Sequence, residues 1–182
     1  MERGGSSLHE RDIGLRRYKA VSSSTGKFVL PALHVGKPTR ADGFMIVARD
    51  LLQGVEALSA LQSIPPRSCA LLAAHALECT LKAFLSHKGE KTKTLINVGH
   101  NLESLWNRAY EKKTLSIPKE PPDWVETLSS GHGPKFYFRY QEGEKDQQGE
   151  RTVVHGGQIP ALIPMAVELK KLIEMVGLAI KS

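Results

Sequence analysis

The groups with the most chemistry to offer stand late in the chain, where Arg139, Tyr140, Arg151 and His155 fall within seventeen residues. Guanidiniums grip phosphate oxygens as planar forks. The rings of Tyr137 and Tyr140 offer faces on which a base can stack. A histidine titrating near neutrality can move a proton. Acting on RNA, His155 would take the proton of a 2′-hydroxyl while Arg139 or Arg151 steadied the charged phosphorane. Set against this is a structural reading, with the aromatics packed on the body of the protein and the arginines solvated. Phosphate binding asks less of geometry than catalysis does, so Arg139, Tyr140, Arg151 and His155 are expected to bind phosphate. No catalytic residue is assigned; His155, Arg139 and Arg151 are the candidates if there is catalysis.

A second group lies in the middle of the chain. His75, Glu78 and Lys82 follow one another at three and four residues, which places them on one face of a helix. His100 comes 22 residues after Glu78. The pairs His75-x-x-Glu78 and His100-x-x-Glu103 invite a carboxylate-bridged metal site of the kind built inside helical bundles. Those sites use Glu-x-x-His, however, and here the order is reversed, with His100 preceding its helix. The expectation is therefore a polar network in the core, formed by His75, Glu78, Lys82 and His100, with no metal and no cofactor. Lys91 and Lys93, beside the hydroxyls of Thr92 and Thr94, make the segment ahead of His100 a further candidate for anion contact. No P-loop, GxGxxG, GxSxG or HExxH motif is present, which removes the common nucleotide and hydrolase signatures.

These residues need elements to hold them. Phe44, Ala48, Leu51, Val55, Leu58 and Leu61 recur at three and four residues, the stripe of an amphipathic helix with Asp42 as its N-cap and Pro65-Pro66 as its end. Residues 67–88 are apolar on nearly every side, the pattern of a helix at the centre of a bundle. Gly89 stops that helix. Residues 90–99 read as a basic, threonine-rich link. A helix over 102–112, capped by Asn101, turns Leu102, Leu105, Trp106 and Ala109 inward, and a short helix around 123–129 carries Trp124 and Leu128. Phe136, Phe138 and Tyr140 then alternate with polar neighbours, and 151–155 is a second extended run, predicting a small β-hairpin with a polar tip. The last helix begins near Pro160 or Pro164 and runs to Ile180. The expected fold is all-α, an up-and-down bundle of four to five helices with a small β-hairpin before the last one.

Of 182 residues, 41% are hydrophobic and 24% charged, as in soluble globular proteins. The net charge of +6 is concentrated in residues 1–40, which carry +5, leaving +1 for 41–182. Two regions follow, a basic and mostly irregular leader over 1–40 and a helical domain over 41–182. The leader lacks the apolar stretch of a secretory signal, and no apolar run is long enough to predict a membrane span. Cys69 and Cys79, on one predicted helix, are separated by about 15 Å along its axis. They cannot pair with each other and read as reduced core residues. A cytoplasmic protein without membrane contact is expected.

The segments AHALECTLKAFLSHKG and GHNLESLWNRAY together resemble the HEPN family, the nucleotide-binding domains of higher eukaryotes and prokaryotes. A helix with an E-x-x-L-K-A-x-L core there precedes a G-H-D/N-L turn and helix. The matching residues here are Glu78, Leu81, Lys82, Ala83 and Leu85, then Gly99, His100, Asn101 and Leu102. Phe138-Arg139-Tyr140 is similar to an aromatic-Arg-Tyr segment ahead of the last helix in some members. The likeness covers residues 41–180 in element order.

The resemblance implies a helical bundle, a homodimer, and a link to nucleotide binding, RNA cleavage or an antitoxin-type protein partner. The ribonuclease members carry Arg followed by His after four to six residues, at the start of a late helix. Here Arg151 and His155 are separated by three residues and Arg67 and His75 by seven, while the one match, Arg3 and His9, falls in the leader. The expected function is accordingly a nucleotide- or RNA-phosphate-binding module without the usual ribonuclease motif. The alternatives are a metal-independent, toxin-like endoribonuclease with a displaced Arg/His pair, and a structural partner in a toxin–antitoxin or other assembly.

Overall fold

The computed structural model describes residues 39–133, 138 and 159–181, which lie in a compact unit, Pro38–Ser182. They form six helices and no strand: α1 Arg40–Ser59, α2 Pro66–His87, α3 Thr92–Val98, α4 Leu102–Glu111, α5 Asp123–His132 and α6 Leu162–Lys181. The expected leader lies outside the described residues except for Thr39 and Arg40, which cap and open α1, so the helical domain begins there and not at Ala41; the expected hairpin, apart from Phe138, also lies outside them.

Helix α2 is the axis of this arrangement. It packs against α1 and α6 and also against α4 and α5, while α1 meets α6 and α4 meets α5. From Ala73 to Leu85 every residue except His75 is buried, because a helix with partners all round has no face left for water. By length and composition α2 could cross a membrane, but 72% of its most apolar window is buried inside the fold. Its central position accounts for that apolarity. Pro66 occupies the first turn, where its missing N–H costs nothing. At the other end Glu90 N–H donates to the Leu85 carbonyl and Gly89 N–H to that of Ser86. With Gly89 at φ +84°, this is a Schellman stop.

Two local readings of the sequence change. Asp42 is the third residue of α1, not its cap. Thr39 caps the helix, accepting from Asp42 N–H, and its own N–H donates to the Asp42 carboxylate in a reciprocal capping box. The buried stripe of α1 is Ala41, Met45, Ala48, Leu52 and Val55; Phe44, Leu51 and Leu58 flank it, and Leu61 lies beyond the helix and is 50% exposed. The stripe is rotated because α1 faces α2 and α6 together. The supposed link over 90–99 also contains a helix, α3, pinned by the single buried side chain of Leu95.

Tryptophans fix the remaining pieces. The indole N–H of Trp106 donates to the Pro118 carbonyl at 3.0 Å, holding the α4–α5 connection, and that of Trp124 reaches Glu168 on α6 at 3.1 Å. Trp106 is buried and Trp124 half-buried against the core, and each satisfies its one donor.

Candidate functional site: a buried carboxylate ringed by histidines

Three elements meet at Glu78. Helix α2 supplies Glu78, with Lys82 one turn later. The junction of α3 and α4 supplies His100, immediately after Gly99, whose φ of +61° and ψ of −122° suit only a residue without a Cβ. The last residue of α5 supplies His132.

Lys82 Nζ donates to Glu78 Oε1 at 2.6 Å. Oε2 is engaged by His100 Nδ1 at 2.8 Å and by His132 Nε2 at 2.7 Å. An ionised carboxylate can only accept, so both imidazoles present N–H to it. Glu78 is 5% exposed and His132 1%, whereas the His100 side chain is 40% exposed and gives the cluster its side toward water. The His132 ring lies 5.3 Å from that of His100, edge to face, and 6.4 Å from that of His75, stacked.

Burial by itself would raise the Glu78 pKa. Hydrogen bonds from His132, Lys82 and His100, with the charge of Lys82, more than reverse this and hold the carboxyl well below the usual range. The same negative charge acts on its neighbour: burial first, then Glu78, push the Cys79 thiol up to about 12. Cys79 is thus an inert core thiol. Both cysteines are free and buried.

The His132 Nδ1 atom is buried without a hydrogen-bond partner. It is the one unmet atom in a cluster where the other contacts are short and charge-assisted.

His75, Glu78, Lys82 and His100 are thus gathered at one place. Glu103 is exposed and stays apart from the cluster; its place is taken by His132, 54 residues from Glu78. Sequence spacing gives no hint of that partnership. A weaker signal was present: Val125, Leu128 and His132 follow one another at three and four residues, so the apolar stripe of α5 runs straight into the histidine.

Lys91 and Lys93 are exposed, Lys91 at the N-cap of α3 and Lys93 on its first turn. Arg139, Tyr140, Arg151 and His155 lie outside the described residues. Phe138, one residue before Arg139, is buried at 5% exposure. Its N–H donates to the Gly131 carbonyl at 3.2 Å. Its ring lies over Gly131 so closely that a Cβ there would collide with it. The residue preceding Arg139 is therefore clamped to the end of α5, beside His132.

No family model, no curated protein and no solved structure matches this chain.

Proposed function

We propose that the chain is a HEPN-like helical bundle that binds the phosphate groups of a nucleotide or of RNA, working as a homodimer in the cytoplasm and without the Arg/His spacing of the ribonuclease members. The observation that carries this reading is the meeting of the two motif segments at one carboxylate. Glu78 and Lys82, from E-x-x-L-K-A-x-L, and His100, from G-H-N-L, touch at 2.6 and 2.8 Å. Buried polar groups pair in any fold; what supports the reading is that the bond from His100 to Glu78 joins the two segments that carry the likeness. Cationic and protonatable groups outnumber the single carboxylate they surround, and the exposed Lys91 and Lys93 stand at the start of the helix just before His100. In this reading a small β-hairpin over 136–155 presents Arg139, Tyr140, Arg151 and His155 as the phosphate-binding surface, starting from the clamp at Phe138. Two free, buried cysteines suit a reducing compartment.

Melting temperature in the presence of ATP, GTP or short single-stranded RNA tests the reading, because a ligand that binds only the folded state stabilises it. A rise is expected with at least one of the three, abolished in the Arg139→Ala/Arg151→Ala double variant and reduced in Lys91→Ala/Lys93→Ala. Flat melting with all three ligands would leave a structural partner of an antitoxin-type protein as the better account. RNA cleavage that disappears in His155→Ala would replace binding with an endoribonuclease activity.

A further inference from the structure

We infer that Glu78, His100 and His132 form a binding site for one divalent transition-metal ion of the zinc class. The donor atoms are Glu78 Oε2, His100 Nδ1 and His132 Nε2, all within 4.8 Å of one another. Metal bonds of about 2.1 Å at tetrahedral angles require donors roughly 3.4 Å apart. The two nitrogens stand 2.7 and 2.8 Å from Oε2, so each must withdraw by about 0.6–0.7 Å. His100 follows a glycine turn and is half-exposed, which leaves it room to do so.

The donor set is also chemically selective. Two imidazoles and one carboxylate leave a fourth position for water or an exogenous ligand, the arrangement of catalytic rather than structural zinc. Imidazole nitrogen favours zinc, cobalt, nickel or copper over magnesium and calcium. Each histidine ligates in its neutral form, and the proton it now gives to Glu78 moves to its other ring nitrogen. For His132 that is Nδ1, which has no partner in this structure; as an N–H donor it would need a carbonyl or a water to receive it, so this atom adds to the cost of binding the ion.

Lys82 is the opposing feature. Its ammonium, 2.6 Å from Oε1, already neutralises the carboxylate and repels a second cation. Oε2 remains available, but the site with the ion bound carries excess positive charge, which an anion in the fourth position would offset: hydroxide, or a phosphate oxygen. Lys82 therefore weakens the ion and selects an anionic co-ligand. A purely structural ion pair makes no such demand. The inference is independent of the nucleotide reading, since the ion can be measured with no nucleotide present.

The full-length protein, stripped with chelator, is titrated with Zn2+ by calorimetry and with Co2+ by visible absorption. Saturation at one ion per chain is expected, with the intense bands of four- or five-coordinate cobalt. His100→Ala, at the half-exposed ligand, should weaken binding about ten-fold or more. Lys82→Met, which removes the competing charge, should tighten it. Absence of one-to-one binding by both ions overturns the inference. So does binding that His100→Ala and Glu78→Gln leave unchanged, since the ion would then sit elsewhere.

Discussion

The two sides of α2 are held by different physics. Toward α1 and α6 the contacts are small and aliphatic: Leu72 presses against Gly54, and Ala48, Val55, Leu169 and Val176 are fully buried. Such a surface depends on area and shape, and each methylene removed costs a proportionate amount. Toward α4 and α5 the core instead contains a carboxylate, an ammonium and two imidazoles joined by three hydrogen bonds. That side is all-or-none. Removing one partner strands the others where little water reaches them. The first side can drift by repacking, whereas the second ties three separated segments to fixed atoms.

The largest effect that could break this contrast is Glu78→Ala. It leaves Lys82 and His132 buried without their acceptor and should cost about 3–5 kcal/mol in urea unfolding; a loss near 1 kcal/mol would mean that the cluster is wetter than its burial indicates. Leu169→Ala, on the aliphatic side and 0% exposed, should cost about 2–5 kcal/mol, with part of the loss restored by Leu169→Met. Acid sharpens the comparison further. Glu78 ionises below its ordinary value of 4.5 in the folded state, so the stability it contributes is complete above that value and declines as pH falls beneath it. The wild-type urea midpoint should therefore drop more steeply below pH 4.5 than that of Glu78→Gln, and parallel curves would remove Glu78 from the acid response. Thr39→Ala, which breaks the exposed capping box at the start of α1, should cost about 1 kcal/mol. Smallest of all, Lys170→Ala removes an exposed pair with Glu56 across α1 and α6 and should leave the melting temperature unchanged within error.

What could be read in the sequence follows the same division. Helix α2, its stop at Gly89, the Asn101 cap and the polar face of His75, Glu78 and Lys82 are local features, written in spacings of three and four or in a single residue type. Helix α3 was hidden because only Leu95 marks its buried side among lysines and threonines. The cap of α1 was displaced by one turn because Asp42 and Thr39 cap each other, and either alone suggests the role. His132 could not be paired with Glu78 by any local rule. Its partner is set by how α5 docks, and that depends on the whole core. Phe138, part of an alternating aromatic run, belongs to the end of α5 because Gly131 leaves space for its ring.

The sequence distances spanned by Glu78 also set an order of assembly. Helices α1 and α2 are neighbours in the chain and pack extensively, so their contacts close short loops. The bonds of Glu78 to His100 and His132 close loops of 22 and 54 residues and carry the larger entropic cost. The helical hairpin should thus be formed in the transition state for folding, with the carboxylate cluster completed on the downhill side. Conservative substitutions at Glu78 would then act mainly by accelerating unfolding, making the cluster a latch on the lifetime of the native state more than a determinant of how fast it is reached.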